Sequence, residues 1–485
     1  MQHSLSLSLV RGHRGRGRTF YVDATGGSDA NDGRSTGAAW QTLAKVNAAT
    51  LLPGDSVLLK RGGVWTGTRL VLAASGVAGA PITVGAYGSG AKPVIDGGTV
   101  FSPYAAGVDC ILISGSQSYV TIENLELRNG NDFGISMAGC GNIVVADCDI
   151  HDFGNDGILV FSGSHDVTIL RGTYANAKNR TGTYVSSGIE IGDGGQNFLI
   201  DGAECYGNAT CGIACHNHSA ADPQGRTDVP RYVTIRNVYS HDNTGSGAQI
   251  LTGDTTNNPF DMTIEDSRFA SNGTYDLNLT KTAASTVFPT NVTVRRCTLQ
   301  NGVGAGSVQV QVQGTGHRVY RNLLQLSADK QVNLSSCTDL EFAHNTIYQA
   351  ANTTAAAMVV VGSPASSVRL RDNLWLAGST GAFLLGVATG AGAGVTADYN
   401  FYDTAAAPSG LRWTWNGTNV TYANWQATSG QDAHSTAFQR AQVVAVGSDF
   451  HLQAGSPCID AGVAIAGIND DYLGAAPDLG YAEKA

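Results

Sequence analysis

The sequence predicts an all-β solenoid, a single domain built from stacked coils of short strands. Three observations predict this fold class. A strand motif recurs roughly every 20 to 35 residues from about residue 118. Apolar and polar side chains alternate within each copy. Glycine is abundant, at 62 of 485 residues, whereas 14% of residues are charged and 42% are hydrophobic, which suits tight turns around a real core.

The recurring motif is a V-x-I-like strand followed by a second short strand and an Asn or Asp turn. One coil for each copy predicts a solenoid of about ten or more coils. The copies read YVTIENLEL (119–127), NIVVADCDI (142–150), DVTILRGTY (166–174), NFLIDGAECY (197–206), YVTIRNVYS (232–240), DMTIEDSRF (261–269), NVTVRRCTL (291–299), RVYRNLLQL (318–326), LEFAHNTIY (340–348) and SVRLRDNLW (367–375).

The turn after each second strand carries Asn or Asp at nearly the same place in successive coils. These residue types tolerate left-handed backbone and bond to their own main chain, so we interpret them as a structural column. The column comprises Asn129, Asp152, Asn176, Asn208, Asp242, Asn272 and Asn301.

Segments at both ends of the chain, FYVDATGGSDANDGRS (20–35) and FHLQAGSPCIDAG (450–462), complete the pattern. With them, nearly the whole chain resembles the pectate-lyase-like superfamily of right-handed parallel β-helix proteins. The resemblance implies a single-stranded right-handed parallel β-helix over about 20–400, preceded by an arm (1–19) and closed by a C-terminal cap (401–485). This superfamily hosts lyases, polygalacturonases, epimerases and phage tailspikes, so it implies a polysaccharide substrate without fixing the reaction.

The strand that follows each turn predicts which side chains face outward, because alternate strand residues point to opposite faces. Long connections at 176–187, 214–231 and 252–260 flank these strands and predict the walls of a cleft. The predicted outward row is Ser136, Leu159, Glu190, Ala214, Gln249, Asn278 and Gln309. A neighbouring outward column is predicted at Phe161, Asp193, His216, Leu251, Lys281 and Gln311.

Three carboxylates predict glycoside hydrolysis, which uses paired carboxyl groups around the scissile bond. Asp156 precedes one apolar pair, and Glu190 and Asp193 follow the next pair one coil later. The arrangement resembles the carboxylate trio of tailspike endoglycosidases. That resemblance implies Glu190 and Asp193 as the acid and base pair, with Asp156 as the third member. Asp156 in NDG and Asp193 in GDGG also fit an interpretation as turn residues.

A polysaccharide lyase is the second interpretation. Elimination needs a base near a uronate carboxylate, often with Ca²⁺ to neutralise that carboxylate. One pectate-lyase family has a Lys near the place where this chain has Glu190, which disfavours pectate cleavage. The candidate bases are Lys281, Arg226, His216 and Arg231, and the candidate calcium ligands are Asp152, Asp156 and Glu190.

A spike that binds a glycan or supports a virion without catalysis is the third interpretation. The SLSLSLV segment and the arginines after it resemble the short anchors of some phage tail proteins. Residues 1–19 are therefore expected to attach to a virion tail or baseplate, and tailspikes also suggest a homotrimer. The aromatic residues near the C-terminus are expected to fill the cap rather than bind sugar. They are Trp375, Trp413, Trp415, Tyr422 and Trp425.

The expected partner is a polysaccharide, and five side chains are predicted to bind it. The net charge of −10 argues against nucleic acid, and no apolar run is long enough to span a membrane. No convincing secretion signal is present, and the chain is expected to be extracellular or associated with a virion. No cofactor is expected to be required, and Ca²⁺ enters only with the lyase interpretation. The predicted substrate-binding residues are His216, Gln249, Asn278, Lys281 and Arg226.

The nine cysteines have no CxxC spacing typical of metal sites. Cys211 and Cys215, followed by His216 and His218, are the one grouping that suggests zinc. We instead expect the cysteines to stack inside the solenoid as small apolar residues, and we predict no metal site.

Overall fold

Three parallel sheet faces wind around one continuous core in the computed structural model. A typical coil contributes one strand to each face in turn. Within the described part of the chain, the pairings between coils are parallel, and two antiparallel ladders lie near the C-terminus. The structure describes residues 17–98, 109–178, 186–217, 230–253, 260–283, 285–303, 308–327, 330–351, 357–379, 382–404, 410 and 412–484.

The strands of the first face are Leu70–Leu72, Ile111–Ser114, Ile135–Ala138, Ile158–Phe161, Ser187–Gly192, Cys211–His216, Ser246–Thr252, Tyr275–Lys281, Val308–Thr315, Gln331–Ala343, Ala357–Val361, Phe383–Val387 and Trp413–Trp415. Gln331–Ala343 is long enough to continue into the second face, where it pairs with Arg318–Tyr320 and Ala365–Arg371.

The other strands of the second face are Thr19–Val22, Ser56–Lys60, Ile82–Tyr87, Ser118–Glu123, Gly141–Ala146, His165–Leu170, Gln196–Asp201, Arg231–Arg236, Met262–Glu265, Val292–Arg295, Arg318–Tyr320, Ala365–Arg371 and Val395–Asp398. The third face contains Val64–Thr66, Val94–Asp96, Glu126–Arg128, Asp149–His151, Thr173–Ala175, Glu204–Tyr206, Tyr239–His241, Arg268–Ala270, Thr298–Gln300, Leu323–Leu326, Thr346–Gln349, Leu374–Ala377, Phe401–Thr404 and Thr436–Ala437.

Aliphatic side chains stack in register down the inside of the first face. Each is at most 1% exposed, and burying one such side chain contributes about 1.5–3 kcal/mol. This repeated burial stabilises the solenoid. Because side chains alternate along a strand, the residues between the buried ones point outward. The column includes Ile111, Ile135, Ile158, Ile189, Ile213, Leu277, Val310, Val332 and Val359.

The predicted turn column is correct at five positions and wrong at two. Asn129, Asp152, Asn176, Asp242 and Asn301 have positive φ. In the other two coils the left-handed residue comes one position earlier, at Gly207 and Ser271. The displaced asparagines, Asn208 and Asn272, therefore point into the solenoid.

Those inward asparagines form hydrogen-bonded ladders between coils. Asn208 Nδ2 donates to Asn243 Oδ1 at 2.9 Å, and Asn243 Nδ2 donates to Asn272 Oδ1 at 2.9 Å. The ladder ends where Asn272 donates to Asp276 at 3.0 Å. Each amide thus satisfies its buried neighbour, as buried polar groups require.

A second ladder runs through the later coils and also ends on an acid. Its amides donate in order from Asn322 through Asn345, Asn373 and Asn400, at distances of 3.0–3.2 Å, and Asn400 donates to Asp432 at 3.1 Å. Tyr402 and Trp425 donate to the other Asp432 oxygen at 2.9 and 2.8 Å.

Helices lie at both ends of the core. Leu43–Asn47 begins after Thr42, whose Oγ1 accepts a bond from Lys45 N, and it buries Leu43 and Val46 against the first coils. Tyr422–Ser429 ends at Gly430, which has a φ of 68°, and it buries Trp425. One-turn 3₁₀ segments lie at Thr36–Ala38 and Gly392–Gly394.

The solenoid sheets extend past residue 400 into the region predicted as a cap, through Phe401–Thr404, Trp413–Trp415 and Thr436–Ala437. Two hairpin partners complete this region, Thr418–Val420 against Trp413–Trp415 and Val443–Ala445 against Asp449–Leu452. Trp375, Trp413 and Trp425 are fully buried there. Most of the predicted arm, residues 1–16, lies outside the described residues.

All nine cysteines are buried and unpaired, as expected for small apolar residues in the core. No helix in the described ranges is both long and apolar enough to cross a membrane.

Candidate active site

Glu190 lies on the outward row of the first face, at the centre of Ser187–Gly192. Ile189 and Ile191 on either side point into the core, so alternation forces the Glu190 side chain outward. Its register neighbours are Leu159 in the preceding coil and Ala214 in the following coil. Glu190 is nevertheless only 4% exposed, which is unusual for a carboxylate on an outer face.

The structure brings Asp156 against Glu190. Asp156 is 3% exposed, and its Oδ1 accepts a hydrogen bond from Ser187 N at 2.7 Å. Burial raises the pKa of Asp156 well above its ordinary value, and the charge of Glu190 and a hydrogen bond between the two carboxyls raise it further. Two adjacent buried carboxyls cannot easily both ionise, so this pair retains a proton on Asp156.

His216 completes the cluster from the next coil. Its Nε2 lies 2.9 Å from Glu190 Oε1, and its backbone pairs with Gly192. Burial on its own lowers the pKa of His216, but the nearby Glu190 and Asp193 carboxylates outweigh burial and raise it overall. The site therefore combines a proton-bearing acid, a carboxylate and a histidine that favours its charged form.

Asp193 joins this cluster through His216 rather than through Glu190. It follows the strand end in left-handed backbone, with φ 25°, and its N–H donates to His216 O at 3.3 Å. Of the three predicted carboxyls, Asp156 and Glu190 share a hydrogen bond. The resemblance had implied Glu190 and Asp193 as the acid and base pair.

The predicted outward row is in register from Ser136 to Asn278 but is wrong at its end. Gln311, not Gln309, pairs with Asn278, two residues from the predicted alignment, and a register irregularity between Val308 and Val310 in the ladder to the following strand reverses the parity before Val310. Gln309 turns inward and donates to Asp276 at 2.8 Å.

The neighbouring column also needs correction. Gly192 and Thr280 share the register of His216 and Leu251, whereas Asp193 and Lys281 each lie one residue later.

Lys281 lies outside the row. Its Nζ donates to Ser285 O at 2.6 Å, and it lies 5.3 Å from the centre of the Phe288 ring. Arg231 begins a strand of the second face. Arg226 lies outside the described residues, as does His218. None of the basic residues considered for elimination, except His216, is therefore placed beside Glu190 by the described structure.

Gln311 and Asn333 extend the row beyond Asn278, and sequence reasoning missed both as row members. Asn333 Nδ2 donates to Gln311 Oε1 at 3.3 Å, and Gln311 Nε2 donates to Ser335 Oγ at 3.2 Å. The alternating VQVQVQ sequence (308–313) was a signal for Gln311, but it left open which of its glutamines lies beside Asn278.

Among the described residues, no three His, Cys, Asp or Glu side chains are grouped so as to hold a metal ion. Asp152, one predicted calcium ligand, instead contacts His151 at 2.8 Å and Lys178 at 3.0 Å. It lies at the turn after the third face.

A family model described as the right-handed β-helix region matches residues 83–228 and 224–396. Lacto-N-biosidase of Bifidobacterium longum subsp. longum is 39% identical over 132 residues, covering 23% of this chain. The chain spans only 8% of the length of that relative.

Two solved structures are similar to this chain. Pectate lyase Pel9A superposes with a TM-score of 0.50 and 18% identity, covering 96% of each chain. A GH136 lacto-N-biosidase from Eubacterium ramulus gives a TM-score of 0.44 at 18% identity, over 77% of this chain and 64% of that one. The first superposition shows that the fold extends over nearly the whole chain.

Proposed function

Because this chain belongs to the right-handed β-helix family and buries a carboxyl pair on the outside of its helix, we propose that it is an endo-acting glycoside hydrolase that cleaves a polysaccharide. The observation that carries the proposal is the contact of the buried Asp156 carboxyl, whose pKa is raised, with Glu190, itself 2.9 Å from His216. The local similarity to a lacto-N-biosidase supports glycosidase chemistry.

Asp156 is the proton donor in this proposal. Glycosidic cleavage needs an acid that still holds its proton near neutral pH, and burial beside a second carboxyl provides one. Asp156 gives its proton to the leaving oxygen as the bond from the anomeric carbon to that oxygen breaks.

Glu190 is the carboxylate that assists at the anomeric carbon. His216 holds it in one orientation and balances its charge, so Glu190 remains available as a base or a nucleophile. Water supplies the hydroxyl group that ends on the anomeric carbon, and the remaining proton of water restores the acid.

Elimination is less well supported by the same contacts. It needs an unprotonated base, whereas the Glu190 carboxylate raises the pKa of His216 and favours its charged form. The Lys281 ammonium, the other described candidate on the first face, is bonded to Ser285 O.

The test is a product assay on a panel of neutral and acidic bacterial polysaccharides, with reducing ends and ultraviolet absorbance read together. We expect new reducing ends without absorbance, lost at least about a hundredfold in Glu190→Gln. Glu204→Gln, on the third face, is the matched control and should retain full activity. Absorbance that rises with the reducing ends would establish a lyase instead. If no polymer is cleaved, the interpretation that remains is a glycan-binding spike without catalysis.

A further inference from the structure

The outward row continues from Glu190 as a strip of amides in one direction only. Beyond Ala214 it presents Gln249, Asn278, Gln311 and Asn333, one in each successive coil. At about 4.8 Å per coil, the five steps from Glu190 to Asn333 span about 24 Å. We call Gln249, Asn278, Gln311 and Asn333 the amide strip.

The row has a different character on the other side of Glu190. Its register neighbours there are Leu159, Ser136, Leu112 and Val71. Three of these four side chains are hydrocarbons, which offer no hydrogen bonds to a sugar. The first face is therefore polar on the C-terminal side of the carboxyl pair and largely apolar on its N-terminal side.

Asn278 supplies a second, independent observation. Its side chain is outward by parity, between the buried Leu277 and Leu279, yet the residue is 4% exposed. Its Oδ1 is buried without a hydrogen-bond partner in the described structure. A buried acceptor left unpaired costs about 1–3 kcal/mol, so an amide retained here fits a ligand O–H or N–H that binds it.

The chemistry of the strip identifies the class of ligand. Side-chain amides both donate and accept, which matches sugar hydroxyl and acetamido groups. The carboxylates of Glu190 and Asp193 lie near the start of the strip and would repel a uronate or a sulfated sugar.

We propose that the amide strip binds an uncharged glycan that extends from the carboxyl pair toward the C-terminal end of the solenoid, with Asn278 as an anchoring residue. The assignment of this glycan as a substrate rests on the proposed hydrolase function. Binding to the strip does not depend on that function, so the two are separable by experiment.

Binding is measured in the Asp156→Asn background, which lowers cleavage but keeps the Glu190 and Asp193 carboxylates, by affinity electrophoresis in gels that contain one polymer each. The neutral polymers are galactomannan, mixed-linkage β-glucan and soluble glycol chitin, and the anionic ones are polygalacturonate and alginate. We expect retention by at least one neutral polymer and by neither anionic one. Adding Asn278→Ala should weaken retention about three- to tenfold. Ser136→Ala, two coils before Glu190 on the same row, should leave it unchanged.

Thermal unfolding separates ligand binding from a structural role. Because Asn278 Oδ1 accepts no bond in the described structure, Asn278→Ala should not lower the Tm by more than a few degrees. Three outcomes would each contradict glycan binding by the amide strip. They are retention by an anionic polymer, retention by none of the neutral polymers, and equal losses of retention in Asn278→Ala and Ser136→Ala. If the protein binds a neutral polymer through Asn278 but the wild type cleaves no polymer, the hydrolase proposal is wrong and the binding proposal stands.

Discussion

His216 Nε2 lies 2.9 Å from Glu190 Oε1, although the two residues belong to successive coils and are separated by 26 positions in the chain. Both side chains are more than nine-tenths buried. His216 is in register with Gly192, two residues after Glu190 on the same side of the strand, and this register brings the histidine ring to the carboxylate of the preceding coil. A neutral amide at position 216 could not provide the same charge.

Replacing His216 by Gln should lower kcat about ten- to a hundredfold with little change in KM. The His216 ring lies close to the Glu190 carboxylate, so it can orient that group and balance its charge without contacting the substrate. Steady-state kinetics on the polymer identified in the product assay would measure this. His241→Gln is the control, because His241 contacts Glu204 at 3.2 Å on the third face. Equal losses in both variants would contradict a role specific to the site.

The Asp156→Asn variant should remove the alkaline limb of the pH–rate profile and lower the maximal rate about a hundredfold or more. Burial and then Glu190 raise the pKa of Asp156, so the acid is active below that raised pKa and is lost as pH rises through it. The profile of kcat/KM against pH would show this. Asp166→Asn, exposed at the start of the strand His165–Leu170, should keep the wild-type profile. An unchanged alkaline limb in Asp156→Asn would assign that limb to another group.

Asp432→Asn should reduce the free energy of unfolding by about 2–4 kcal/mol. Asp432 accepts bonds from Asn400, Ser435, Tyr402 and Trp425, and an amide nitrogen cannot accept the two that reach one carboxyl oxygen. Denaturant unfolding of the two proteins would give the difference. The exposed Asp449→Asn should be neutral, and a neutral Asp432→Asn would show that the ladder end is rebuilt by water.

His317 should titrate near pH 4 in the folded protein. Burial lowers the pKa of His317 to about 4, and the contacts of its ring with Gln313 O at 3.1 Å and Val292 N at 3.2 Å offset that effect only in part. The folded state therefore excludes a proton that the unfolded chain takes up, and this stabilisation is lost as pH falls from about 6.5 to about 4. Histidine NMR titration, with the signal assigned by its loss in His317→Asn, would measure the midpoint. A midpoint near 6.5 would contradict it.

The solenoid and the row through Leu159, Glu190 and Asn278 could be predicted because strand alternation has a period of two and repeats in every coil. The inward direction of the Gln309 side chain could not be predicted. One extra residue in a strand reverses which face the preceding side chains point to. Asn208 and Asn272 were misplaced for a similar reason, as a Gly or Ser took the left-handed position one residue earlier. The sequence places Asp156 and Glu190 in successive coils, but the pKa of Asp156 depends on burial that the sequence does not reveal.

The asparagine ladders make neighbouring coils interchangeable in one respect. Each amide gives a hydrogen to the next coil and receives one from the coil before it, so a duplicated coil with Asn at this position would leave no amide unpaired. The coil that carries Asp432 cannot be exchanged in this way, because only a group that accepts without donating can end the series. Adding or removing whole coils in the middle of a ladder thus keeps its hydrogen bonds, whereas removing the coil with Asp432 breaks them.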